Sequence, residues 1–206
     1  MYLLTTCILF SYLCGSISCS TLICSLTGLP DPRTHGSNNP GAANCLRIGG
    51  IKIAAIVLVG DILKGLLPVL IAKMLNFDSA ELGIIGIAAF LGHLYPLFLQ
   101  FRGGKGVATF LGVLFALNYP IGIFFVIIWL LLIKFTKISS VASLSASMFC
   151  VIYVISTANI NLLPIIIMAI FILWKHRTNL ARLIADKEHK VTIWQSKIIR
   201  SGYGNN

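Results

Sequence analysis

Two short stretches of this 206-residue chain bring small residues, hydrogen-bond donors and a basic side chain together, which is the combination that receives an anion. Residues 35–44, HGSNNPGAAN, place Gly36 and Gly41 among Ser37, Asn39 and Asn44, with Arg47 three residues further on. Glycines let backbone N–H groups approach an anion closely, and hydroxyl and amide side chains add donors. Residues 101–109, FRGGKGVAT, set Gly103 and Gly104 before Lys105, with Gly106 and Val107 opening an apolar run. A glycine-flanked lysine at a helix N-terminus suits phosphate through its ammonium, the free amides and the helix dipole. The spacing is not GxxxxGK[ST] and no strand precedes it, so a nucleotide P-loop is excluded. Each stretch taken alone also reads as an ordinary loop of turn-forming residues.

Three further polar groups stand out. Ser139 and Ser140 follow KFTKI at a helix start, where capping alone accounts for them. In the tail, WKHRTNLARL spaces His176, Asn179 and Arg182 at i, i+3 and i+6, so they can share one helical face. In GDILKG, Asp61 and Lys64 stand one turn apart inside an apolar run, as a buried pair would. Other chemistries are missing. An HxxxxD base, used by many thioester-dependent acyltransferases, does not occur: five residues beyond His35, His93, His176 and His189 lie Pro40, Phe98, Ala181 and Trp194. No carboxylate cluster suggests a metal-dependent phosphotransferase.

The elements that must position these residues are membrane helices. The chain is 57% hydrophobic and only 11% charged, with a mean hydropathy of +0.92, whereas soluble domains carry about 25% charged residues. A span takes roughly 20 residues, leaving room for about six or seven and for no second, soluble domain. Apolar segments lie at 3–26, 51–75, 82–101, 107–117, 121–133, 141–157 and 162–174. The last two short ones before residue 134 are kept apart by Asn118, Tyr119 and Pro120, because proline disfavours helix at the residue before it. Seven helices are therefore expected, in one polytopic domain over 1–206.

Lysine and arginine gather on alternate connections. Arg33, Arg47 and Lys52 fall on the first, Arg102 and Lys105 on the third, Lys134 and Lys137 on the fifth, and Lys175, Arg177, Arg182, Lys187, Lys190, Lys197 and Arg200 in the tail. These are fourteen of the 16 basic residues. By the positive-inside rule the C-terminus faces the cytoplasm and the N-terminus the outside. The net charge of +10 is thus topogenic and implies no nucleic-acid partner. The first segment has no preceding Lys or Arg and no cleavage site, so it is expected to stay as the first helix. Cys7, Cys14, Cys19, Cys24, Cys45 and Cys150 show no metal-ligand spacing and read as packing residues. No internal repeat suggests an inverted-repeat transporter. All the anion-binding motifs fall on the cytoplasmic connections.

Together the strings YLCGSIS (12–18), GLPDPRTHGSNNPGAANCLRIGG (28–50), DILKGLLPV (61–69), LGHLYPLFLQFRGGKGVAT (91–109) and HRTNLARL (176–183) closely resemble the bacterial acyl-phosphate:glycerol-3-phosphate acyltransferases, the PlsY family. The likeness runs over nearly the whole chain. It implies a seven-helix enzyme of the bacterial inner membrane with its active site facing the cytoplasm. The activity implied is transfer of a fatty acyl group from acyl phosphate to the sn-1 hydroxyl of glycerol 3-phosphate, giving lysophosphatidic acid and phosphate, the first acylation of phospholipid synthesis. By motif, Ser37 and Arg47, with Asn39 and Asn44 as further donors, would hold glycerol 3-phosphate. Gly103, Gly104, Lys105 and Ser140 would form a phosphate site, completed by His176 and Asn179, with Lys105, His176, Asn179 and Ser37 closest to the chemistry. The resemblance implies no metal or cofactor, the bilayer as surroundings, and no obligate protein partner. Two positions depart from the family's GSGNxGATN: Asn38 replaces a glycine and Ala43 a threonine. Asparagine tolerates a left-handed backbone, so the loop shape can survive.

A mixed anhydride already carries its leaving group, so direct attack by the glycerol hydroxyl needs positioning and charge neutralisation rather than a protein nucleophile. His176 or a phosphate oxygen could take the proton. The rival from another class is a small phosphate channel or carrier, which calls for ionisable or broken-helix features along a path to both faces; only the second connection, with Lys73, Asp78 and Glu81, carries charge on the outer side. A purely structural membrane subunit would leave the cytoplasmic motifs without a role.

Overall fold

Backbone amides have no water to bond in hydrocarbon, so a chain this apolar must satisfy them within helices. A computed structural model describes residues 2–157 and 162–191, and among these there are helices and no strand. Lys197 and Arg200, counted above with the tail, lie outside the described residues. The order is α1 (Tyr2–Ser16), α2 (Cys19–Leu26), α3 (Ala42–Met74), α4 (Ser79–Leu94), a 3-10 turn (Leu97–Leu99), α5 (Val107–Leu117), α6 (Tyr119–Thr136), α7 (Ser139–Ser156), α8 (Leu162–Lys175) and α9 (Arg177–Ile184). Four helical stretches, Ala42–Met74, Ser79–Leu99, Tyr119–Thr136 and Ser139–Ser156, are each long and apolar enough to span a bilayer. The bent pairs α1–α2, at 43°, and α8–α9, at 53°, raise this to six if each is one span. α5 has 11 residues, roughly 16 Å of rise against a hydrocarbon thickness of about 30 Å.

Each of the seven apolar segments of the sequence contains a helix, but the first is broken and another begins early. The first segment is broken at Ile17 and Ser18, where Ser18 caps α2 by accepting from the Thr21 N–H. α3 starts at Ala42, nine residues before the apolar run, and crosses Gly50 in a non-helical conformation at φ 80°. The expected break at 118–120 is present: Asn118 is extended and precedes Pro120 in the first turn of α6. α4 starts with a capping box, Asp78 accepting from Ala80 and Glu81 N–H while Glu81 accepts from Asp78 N–H, all at 2.9 Å. Two of the three charged residues of the second connection are thereby used locally.

Without a hydrophobic drive between helices in lipid, packing depends on close approach and on polar contacts. A methyl group at Gly65 would stand 2.2 Å from the Thr109 carbonyl oxygen, and one at Gly112 2.1 Å from that of Ile62, so α3 and α5 touch backbone to backbone. α1 and α4 meet the same way, Gly15 against Ala89 and Gly92 against Tyr12. Buried hydroxyls cross between elements: Ser11 donates to the Ile85 carbonyl at 2.7 Å and Tyr12 to that of Tyr95 at 2.8 Å. Phe90, Phe110, Ile121, Ile165 and Met168 fill the interior, while Ile123, Ile127, Leu130 and Leu131 of α6 point outward, as lipid-facing residues must.

Candidate active site

The first connection is folded by two of its own side chains. Asp31 accepts from the Arg33 backbone and guanidinium, at 2.7 Å to the terminal nitrogen, and its carboxyl is held below the usual range chiefly by that guanidinium. Asn44, 1% exposed, accepts from Ser37 N–H at 2.9 Å and donates to the Pro32 and His35 carbonyls, also at 2.9 Å. Its amide is therefore engaged by the loop backbone, and it shapes the loop. A methyl at Gly36 would lie 2.2 Å from Asn44 Oδ1, which fixes glycine there. Asn38 has φ 56°, the left-handed conformation expected of an asparagine in a glycine position. Among the described residues Ser37 Oγ and the Asn39 amide make no hydrogen bond and remain open to a ligand, and Arg47 donates to the Ala43 carbonyl at 3.3 Å.

The third connection leaves α4 through the 3-10 turn and returns at Gly106, whose φ of 84° admits glycine readily and caps α5. Lys105 reaches out of this turn and its ammonium donates to Asn179 Oδ1. Burial, then the guanidinium groups of Arg182 and Arg47, push its pKa down to about 8, against an opposing pull from Glu188.

The tail completes the cluster. His176 is 3% exposed and lies between α8 and α9. Its Nδ1 is 2.8 Å from the Ile172 carbonyl, which can only accept, so the proton of the neutral ring sits on Nδ1 and Nε2 presents a lone pair. Burial and the nearby Lys105 charge push its pKa down to about 4. Asn179 links two elements of the site: Oδ1 accepts from Lys105 and Nδ2 donates to Glu188. Ser140 does not cap α7, where Ile138 is the capping residue; its hydroxyl donates to Glu188 Oε1 at 2.9 Å.

Glu188 was not singled out by the sequence, yet Ser140, Asn179 and Arg182 all donate to its carboxylate, the last at 2.8 Å. Burial would raise its pKa, and the hydrogen bonds from Arg182, Asn179 and Ser140 outweigh it and hold the group ionised. Just beyond, the Val191 N–H donates to the Lys137 carbonyl at 2.7 Å, tying the tail to the fifth connection. The structure thus brings Lys105, Ser140, His176 and Asn179 into one cluster, with Arg47 within electrostatic reach. Between the first and third connections opens a cavity of about 530 Å³, lined by Arg33, Thr34, Asn38, Gln100 and Arg102 among others.

A polytopic helical chain of this sequence has counterparts among known proteins. The family model described as glycerol-3-phosphate acyltransferase matches residues 5–186. A glycerol-3-phosphate acyltransferase of Ruthia magnifica subsp. Calyptogena magnifica is 48% identical over 187 residues, covering 89% of this chain and 94% of that protein. One from Coxiella burnetii is 46% identical, covering 90% and 97%. The crystal structure of PlsY, an integral membrane glycerol 3-phosphate acyltransferase, in its glycerol 3-phosphate form superposes with a TM-score of 0.89 at 36% identity, over 95% of this chain and 98% of that one. Its lysophosphatidic acid form gives 0.85. With fold, length and family model in agreement, the chain belongs to the glycerol-3-phosphate acyltransferase family and is an integral membrane acyltransferase of phospholipid synthesis.

Proposed function

We propose that the enzyme transfers a fatty acyl group from acyl phosphate to the sn-1 hydroxyl of glycerol 3-phosphate at the cytoplasmic face of the bacterial inner membrane. The observation that carries this reading is the charge imbalance of the cluster: Lys105, Arg47 and Arg182 act on one another, and among the described residues Glu188 is the carboxylate set against them. Bound phosphates would neutralise the remainder. Ser37 and Arg47 hold the phosphate of glycerol 3-phosphate, Lys105 and the 103–106 backbone hold that of the acyl donor, and the acyl chain lies among apolar helices.

The glycerol oxygen forms a bond to the acyl carbon while the bond from that carbon to the phosphate oxygen breaks, releasing inorganic phosphate. His176 Nε2 accepts a hydrogen bond from the attacking hydroxyl and aims it. With its pKa near 4 the imidazole is a poor proton acceptor at neutral pH, whereas a phosphate monoester has a second pKa of about 6. The proton therefore leaves with the phosphate. Purified protein given glycerol 3-phosphate should make lysophosphatidic acid and phosphate from acyl phosphate and none from acyl-CoA; turnover with acyl-CoA alone would remove the donor assignment.

A further inference from the structure

Three charged or titratable side chains are buried within the helices next to the glycine-rich turn. Asp61 and Lys64 of α3 pair at 2.9 Å, their side chains 3% and 7% exposed. Lys64 also donates to the Ile17 carbonyl at 2.8 Å, in the break between α1 and α2. His93 of α4, its side chain 6% exposed, brings Nδ1 to 3.7 Å from Asp61 Oδ1. Ionisable groups in a membrane interior are costly, and an ion pair for packing α3 needs no histidine.

What surrounds His93 gives it a different role. The Gly104 N–H donates to the His93 carbonyl at 3.1 Å. A methyl at Gly104 would fall 2.2 Å from His93 Nε2 and 2.7 Å from the Pro40 carbonyl oxygen, and one at Gly103 2.0 Å from the His93 carbonyl oxygen. The third connection thus rests on the ring and backbone of His93 with no room to spare, and the first connection meets it at the same point. The next residue is Lys105.

We infer that His93, braced by the Asp61–Lys64 pair, is a positioning residue that sets where the 103–106 turn, and with it the Lys105 ammonium, stands relative to the first connection. This rests on the reading of Lys105 as the donor-phosphate ligand. An error of about 1 Å in such a group costs on the order of 100-fold in rate, so a ring that touches no substrate can still govern turnover.

The test uses His93→Asn, which keeps a polar atom facing Asp61 but withdraws the ring from Gly104, and Asp61→Asn as a second variant should the first not yield monodisperse protein. Each is made with Lys105 intact and with Lys105→Ala. If the ring acts through Lys105, kcat/KM falls at least ~10-fold in the first background and under ~3-fold in the second. Amide exchange of residues 101–109 rises by about 5-fold or more, while that of 141–156 is unchanged. Equal losses in both backgrounds, or unaltered exchange in 101–109, overturn the inference. Wild-type protein inactive with acyl phosphate would instead overturn the proposed function, and the exchange measurement would still decide whether His93 holds the turn.

Discussion

At Lys105, burial and two guanidinium groups work against the charge that a phosphate ligand must carry. Its lowered pKa, about 8 in the free enzyme, sets the sign of the pH dependence: the ammonium is present below that value and is lost as pH rises through it. We expect kcat/KM for acyl phosphate to fall on the basic side with an apparent pKa near 8, and Lys105→Arg to move that limb out of range because guanidinium stays protonated. An unchanged limb in the arginine variant would assign the titration elsewhere. Lys105→Ala should lose at least ~2 kcal/mol of transition-state stabilisation, the scale of one preorganised donor. Glu188 acts on the same ammonium from the other side. Glu188→Ala frees Asn179 Nδ2, Ser140 Oγ and Arg182 together, so activity should fall at least ~30-fold, consistent with losing about 2 kcal/mol of charge-assisted hydrogen bonding. Glu188→Gln, which keeps an acceptor oxygen, should recover part of it; if both variants turn over like wild type, the carboxylate has no part in organising the site.

The helices reach their positions through glycine contacts that leave no space for a side chain. Gly112→Val would drive a branched side chain into the Ile62 carbonyl, pushing α5, and Lys105 before it, away from α3. A cost of about 1–3 kcal/mol is expected, read as a lower unfolding midpoint in detergent. Equal midpoints for wild type and Gly112→Val would show that α5 does not depend on this approach. Such contacts also mark what a sequence can and cannot disclose. The apolar segments and the break at Asn118 were legible because run length and proline act locally. The break at Ile17 was not: its carbonyl is held by Lys64, 47 positions away. The helical turns from Ala42 to Gly49 were hidden because Arg47 and Gly49 look like loop punctuation, whereas the break at Gly50 stands just before the apolar run that begins at residue 51. Lys105, His176, Asn179 and Ser140 were legible from residue type and from the resemblance of their motifs to the family. Glu188 was not, since a carboxylate in a basic tail has no periodic signal and its hydroxyl partner lies 48 residues earlier. Asn44 was legible as a polar loop residue, but only the folded loop discloses that its amide is taken up by backbone.

Across the whole molecule, side-chain and backbone contacts join the first, third and fifth connections and the tail: Pro40 meets Gly104, Lys105 meets Asn179, and Ser140 meets Glu188. These are also the connections on which lysine and arginine gather, so one membrane face holds both the positive charge and the candidate site. On the positive-inside rule we propose that this face is the cytoplasmic one. The alternation requires only that the segments at 107–117 and 121–133 leave one face and return to it, by two crossings or by a re-entrant loop, and α5 is too short to traverse the hydrocarbon unaided. If α5 and α6 are instead two legs of a re-entrant loop, Asn118 lies at membrane depth rather than in water. Single cysteines decide this in a background whose six natural cysteines are replaced. Asn118→Cys should react with a membrane-impermeant maleimide added to intact cells, and Thr34→Cys should react only after the membrane is opened. Labelling of Asn118→Cys from neither side would place the turn inside the bilayer, and labelling of Thr34→Cys in intact cells would reverse the orientation and put the acyl acceptor on the wrong side of the membrane for the proposed reaction.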